Sequence, residues 1–209
     1  MPNINLESND KTVFSVDVEV AKKSITLRDL MMNYGIEETG DEDGDPIPLL
    51  DVDAANLEKL LHWAEEHKDD PPAPTDDETK YRTDNISDSD KAFFNMDQAA
   101  LLQLIHAANF MNMPDLLLTA CKTVANIIKE RTVDQIRDYF YIKNDFAEEQ
   151  EEHVKNVIKD WQNLPVVLFG DLMTMVGLES LDTLHTCRQV CRSWNEMIVS
   201  IDEILQSVS

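Results

Sequence analysis

A few places in this 209-residue chain hold side chains whose types and spacing could do chemistry. Cys187 and Cys191 stand one helical turn apart, with His185 just before them. Thiolates and an imidazole are zinc ligands, but a closed zinc site takes four ligands and no second Cys/His pair stands elsewhere to complete it. Two thiols on one helical face read instead as buried structural cysteines. Glu65, Glu66 and His67, and His153 beside Glu151 and Glu152, could move protons. Neither group has a nucleophile or an oxyanion-binding arrangement at a readable spacing, so both read as solvated helix faces. The expectation is a binding platform rather than a catalytic pocket, with no metal and no cofactor.

Binding must then lie in the apolar pattern. In Cys121 to Gln150, Val124, Ile127 and Ile128 recur at helical spacing, and after a break so do Ile136, Tyr139 and Phe140. Thr132 with Gln135 three residues on fits a capping box at the start of the second helix. Tyr141, Ile142 and Phe146 keep the apolar character, and Asn144 and Asp145 offer a further cap before the acidic run at Glu148. Two short helices with one apolar face each need a third body, so this stretch reads as a platform awaiting a cover.

The elements leading to it are legible in order. Ile4 and Leu6, then Val13, Phe14 and Val16, then Val18 and Val20, predict two antiparallel strands with a turn at Ser8-Asn9-Asp10. From Ser24 the period becomes helical, with Leu27, Leu30, Met31 and Tyr34 on one stripe and Gly35 as the stop. An acidic loop runs from Glu37 to Asp45, and the proline-bearing Pro46-Ile47-Pro48-Leu49-Leu50 allows a strand only at a sheet edge. Asp53 caps a helix carrying Leu57, Leu60, Leu61 and Ala64. Residues 68–90 are polar, proline-bearing and acidic, predicting an exposed, mobile loop. Asp97 caps the next helix, with Leu101, Leu104, Ile105 and Ala108 on its face, and Pro114 after Asn112 opens the helix that enters the platform.

Charge and composition exclude several partners. The net charge is -23 and the apolar content 43%. Neutralising phosphates needs clustered Lys and Arg, so neither nucleic acid nor an anionic membrane surface is expected. Between Glu37 and Asp90 there are 19 acidic residues against 4 basic, a net of -15, so most of the excess lies there. The amino terminus lacks an apolar core after a basic start, no apolar run reaches membrane-span length, and three cysteines form no disulfide framework. A cytoplasmic or nuclear location is expected.

The order of MPNINLESNDKTVFSVDVEVAKKS, the HKDDPP run, LLQLIHAANFMNMPDLL, CKTVANIIK and YIKNDFAEEQEE resembles the Skp1 family, the adaptors of cullin-based ubiquitin ligases, over residues 1 to about 161. The resemblance implies an α+β fold, a BTB/POZ domain with a carboxyl-terminal helical extension, and no catalysis. It implies a surface for a cullin amino-terminal domain around Asn109, Phe110, Met111 and Met113. It further implies an F-box platform made by Val124, Ile127, Ile136, Phe140, Ile142, Phe146 and Trp161. Phe110 replaces the family's usual tyrosine, and Asp160-Trp161-Gln162 runs on where the family has a Trp-Cys pair near its end.

Residues 164–209 resemble an F-box. The resemblance rests on Leu164-Pro165, Leu168, Leu172, Val176, the Leu181-Asp182 turn, Leu184, and a close of Cys187, Arg188, Val190, Cys191, Arg192 and Trp194. Gly177 departs from the pattern within the motif. Three short amphipathic helices of roughly 45 residues cannot build a large core alone, so they too need a partner surface. The expected organisation is residues 1–67 and 91–128 as BTB/POZ, 68–90 as the loop, 129–163 as the extension and 164–209 as a three-helix F-box. The F-box could dock on its own platform in cis or on a neighbouring chain as a swapped dimer, and the sequence leaves both open. It also leaves open a scaffold that bridges cullin to a substrate-recognition protein, a decoy that occupies cullin, and an engineered joining of adaptor and F-box.

Overall fold

The structure is a computed structural model, and it describes residues 2–36, 38–41, 44–71 and 82–143, with Thr186, Cys187, Val190 and Trp194. The expectations at Asn144, Asp145, Phe146, His153, Trp161, Leu164, Pro165, Leu168, Leu172, Leu181, Leu184, His185 and Cys191 lie outside the described residues. The chain divides into two compact units that alternate along the sequence, residues 1–73 with 103–117, and residues 74–102 with 118–209.

In the first unit, β1 (Asn3–Glu7) pairs antiparallel with β2 (Val13–Asp17), Ile4 opposite Val16 and Leu6 opposite Phe14. The alternation of β1 puts Ile4 and Leu6 in the core and its polar residues outward. The turn is fastened by the buried Ser8, whose hydroxyl donates to Asp10 and accepts from the Thr12 amide. Asp10 in turn accepts from the Ala54 amide at 3.1 Å. The Ser8 hydrogen bond favours the carboxylate and pulls the Asp10 pKa down. β3 (Ile47–Pro48) lies parallel to β1 in the order β2-β1-β3. Pro48 thus sits on an edge strand, as a residue without a ladder donor must.

The second strand ends earlier than its apolar alternation predicts. Val18 and Val20 belong to a one-turn helix, α1 (Val18–Ala21), because the Asp17 carboxylate accepts from the Glu19 amide and caps a turn there. All three of Val18, Val20 and Ala21 remain buried. α2 (Ile25–Tyr34) starts at Ser24 and stops at Gly35, whose φ of 68° is left-handed and suits glycine. Its buried stripe is narrower than predicted: Leu27 and Met31 are in the core, while Tyr34, in the last turn, is 68% exposed. α3 (Ala54–Glu66) is capped by Asp53 and buries Leu57, Leu60, Ala64 and also Trp63, which stacks on His67 with ring centroids 4.1 Å apart. His67 is 2.6 Å from Asp70, and Glu65 is 2.5 Å from Lys68, so these groups are paired locally along the end of the helix.

In the second unit, the segment predicted as an exposed loop is partly packed. Thr83 and Ile86 are buried, and Ser87 caps α4 (Asp88–Phe93). The acidic composition of residues 68–90 hides this, because the packing depends on one isoleucine and on two donors from α6 (Pro114–Lys129). The Asn126 amide donates to the Thr83 carbonyl at 2.8 Å and the Lys122 ammonium to the Asn85 carbonyl at 3.3 Å. Burial pushes the Lys122 pKa down, against the opposing pull of Asp84 and Asp90. Before it, α5 (Gln98–Phe110) begins under the Asp97 cap, which takes the Ala99 and Ala100 amides. α7 (Val133–Phe140) opens with the predicted capping box, Thr132 and Gln135 exchanging side-chain and backbone bonds.

Ser24 does two jobs in the first unit, since its hydroxyl accepts from the Leu27 amide at 3.1 Å and donates to the Met111 carbonyl. Ser24→Ala removes both bonds at a buried site and should cost about 1–2 kcal/mol in urea denaturation. An unchanged midpoint would contradict this assignment.

Candidate functional site

Two surfaces hold the residues expected to bind. The first lies at the carboxyl end of α5, in the first unit. Three bonds from the start of α2 fix the backbone there: the Ser24 hydroxyl to the Met111 carbonyl, the Thr26 hydroxyl to the Phe110 carbonyl at 3.2 Å, and the Ile25 amide to the Asn112 carbonyl at 3.0 Å. Asn112 takes a left-handed φ of 50°, which asparagine tolerates, and the chain turns into α6. Asn109 and Phe110 are exposed on this pinned backbone, with Phe110 38% exposed.

Met111 and Met113 require a correction. They were expected on the same surface, yet they are 1% and 3% exposed and pack among Val20, Leu27, Leu57 and Leu60. Their spacing beside Asn109 and Phe110 conceals that the turn at Asn112 directs both methionines into the core. They hold the end of α5 in place and leave the accessible surface to Asn109 and Phe110.

The second surface is α7, in the second unit. An eight-residue helix is marginal alone in water, so its apolar face carries its stability. That face is covered: Ile136 is 0%, Phe140 1% and Ile142 6% exposed. Val124 and Ile128 of α6 are buried and Ile127 is partly so. The Arg131 guanidinium lies over the Tyr139 ring, 4.6 Å from its centroid. Desolvation pushes the Tyr139 phenol up, with Arg131 pulling the other way.

Residues far along the chain meet this face. The Trp194 ring lies 5.8 Å from Phe140, centroid to centroid, tilted at 56°. This is within the range in which aromatic pairs attract. The Arg137 guanidinium, through Nε, donates to the Val190 carbonyl at 2.9 Å, and Nη1 lies 3.2 Å from Asp134. Cys187 and Val190 are 0% exposed and Trp194 is 2% exposed. The Val190 amide closes a turn on the Cys187 carbonyl at 3.1 Å. Burial pushes the Cys187 thiol up to about 12, which keeps it neutral at physiological pH.

Arg137 is the functional candidate that the pattern of apolar residues passes over. It stands between Ile136 and Asp138 in a chain with 18 basic residues against 41 acidic, and a cation set within an apolar stripe is the available signal. Among the described residues no group of three or more His, Cys, Asp or Glu side chains is placed to hold a metal ion. No helix among them is long and apolar enough to cross a membrane.

The small mixed sheet flanked by helices makes the first unit an α+β fold, which fits a POZ-type domain. The tetramerisation domain of the Skp1 family matches residues 2–69, and its dimerisation domain matches residues 114–159. The chain is 39% identical over 153 residues to a Skp1-related protein of Caenorhabditis elegans, covering 73% of this chain and 87% of that one. It is 40% identical over 156 residues to the SCF ubiquitin ligase complex protein SKP1a of Dictyostelium discoideum, covering 74% and 93%. It is 37% identical over 154 residues to the E3 ubiquitin ligase complex SCF subunit sconC of Arthroderma benhamiae, covering 73% and 90%. The chain belongs to the Skp1 family.

The burial of Cys187 has a direct chemical readout. With its pKa near 12, the thiolate at pH 8 is scarcer by roughly three orders of magnitude than for an ordinary thiol. Iodoacetamide should therefore modify Cys187 at least about 100-fold more slowly in the folded chain than in urea. Trypsin cuts after Arg188 and Arg192, so mass spectrometry reads Cys187 and Cys191 on separate peptides. Equal rates for Cys187 in the two states would contradict its burial.

Proposed function

We propose that this chain is a non-enzymatic adaptor of an SCF-type E3 ubiquitin ligase, bridging a cullin amino-terminal domain to an F-box carried at residues 164–209 of the same chain. The adaptor role is supported by one observation above all. Relatives named as SCF subunits align over 154 and 156 residues, nine-tenths or more of their own length, so the likeness extends beyond a single domain.

The placements above support two proposed contact surfaces. The cullin surface is assigned to Asn109 and Phe110, exposed on a backbone pinned by α2, with Met111 and Met113 packing beneath. An aromatic ring on a rigid backbone binds with little ordering cost. The F-box surface is assigned to Val124, Ile127, Ile136, Phe140 and Ile142, with Phe146 and Trp161 retained in the proposal. The F-box itself is assigned Leu164, Pro165, Leu168, Leu172, Leu181, Leu184, Val190, Cys191 and Trp194. Docking within one chain is supported by the Phe140 and Trp194 rings and by the bond from Arg137 to Val190. A separate substrate-recognition protein completes the assembly in this reading. The assembly acts in the cytoplasm or nucleus, with neither nucleic acid nor membrane as a partner.

Phe110→Ala tests the cullin surface. It should weaken binding to a cullin amino-terminal domain by about tenfold or more in calorimetric titration, as loss of an exposed aromatic anchor does, with little change in thermal stability. Unchanged affinity would place the cullin surface elsewhere.

A further inference from the structure

The contacts made by Cys187, Val190 and Trp194 bear on which partners α7 can accept. The face of α7 has two kinds of recognition group, an apolar stripe ending at Phe140 and a cation, Arg137, beside it. Both are engaged by the same chain. Phe140 meets the Trp194 ring at 5.8 Å, and Arg137 donates to the Val190 carbonyl at 2.9 Å. The second bond is addressed to main chain, so it fixes the position of Val190 and reads no side chain. Ile136 and Phe140 retain 0% and 1% exposure, so no apolar area remains on them for a second ligand.

We infer that this chain is a self-closed adaptor: its own segment around Val190 and Trp194 occupies the α7 face and excludes F-box proteins supplied in trans. This rests on the functional reading above and goes further, because an adaptor with an open platform would serve many receptors and this one would serve none until its segment leaves. Tethering sets the strength of the exclusion. A ligand joined to its site acts at an effective concentration of up to about 1 mM where the chain between them can span the gap. If the segment bound in trans at about 10 μM, a competitor would be weakened roughly 100-fold by the ratio of the two. A competitor of the same affinity, about 10 μM, would then need about 1 mM in trans to displace it, and a tighter one proportionately less.

The competitor used to test this is an intact F-box protein, its competence checked on an ordinary Skp1 adaptor. Its affinity is measured by calorimetry for the full chain and for two full-length variants altered only in the closing segment, Trp194→Ala and Val190→Asn. The second variant keeps the tryptophan, so loss of fold in one does not end the test. Self-closure predicts weak or undetectable binding to the unaltered chain and binding at least about 100-fold tighter to a folded variant. Equal, tight binding to the unaltered chain and the variants would overturn self-closure and leave the adaptor reading in place. Absence of binding to all three, with the control adaptor active, would overturn both.

Discussion

The burial of the α7 stripe is the constraint on which the second unit turns. Eight residues cannot sustain a helix on propensity alone, and the capping box at Thr132 and Gln135 satisfies its first turn without supplying a core. Stability must come from Ile136 and Phe140, each contributing roughly 1.5–3 kcal/mol when fully taken from water. Trp194 is one of the groups that removes that water. An aromatic of this size buries roughly 150–250 Å². Arg137 adds direction to an otherwise undirected contact, because a guanidinium on a backbone carbonyl fixes where the turn from Cys187 to Val190 lies.

The first unit solves a different problem with similar means. Its sheet is small, with an edge strand only two residues long, so hydrogen bonds from helix caps tie its distant parts together. Asp10 takes the Ala54 amide at the start of α3, and Ser24 takes the Leu27 amide while reaching the Met111 carbonyl 87 residues away in sequence. The exposed Phe110 inherits rigidity from that second link. Function in this account comes from side chains that local capping holds still, and the ionisable clusters around His67 are absorbed in local pairs.

Much of this was legible in the sequence wherever one local rule acted alone. Asp53, Asp97, Thr132 and Gly35 marked helix ends because each supplies a bond or a backbone conformation that its neighbours cannot. Reading failed where two rules competed. At Val18 and Val20 the strand alternation lost to the cap offered by Asp17. At Thr83 to Asp90 the acidic composition outweighed a single isoleucine, and the deciding donors, Lys122 and Asn126, lie some 40 residues on. The neighbours of Met111 and Met113 in sequence point both to the surface, whereas the left-handed turn at Asn112 sends them inward. The role of Arg137 is not legible in the pattern, because a hydrogen bond to a remote carbonyl leaves no periodic trace.

The central claim is that the α7 face is closed by the chain's own Trp194, and a double-mutant cycle in the monomeric full-length protein tests it most directly. Phe140→Leu, Trp194→Leu and the double variant would be compared by urea denaturation. Leucine retains apolar bulk and removes the aromatic pairing. A coupling of about 0.5–1.5 kcal/mol, the two losses failing to add, is the predicted result for rings in contact. Losses that add to within about 0.3 kcal/mol would contradict the contact and the account built on it.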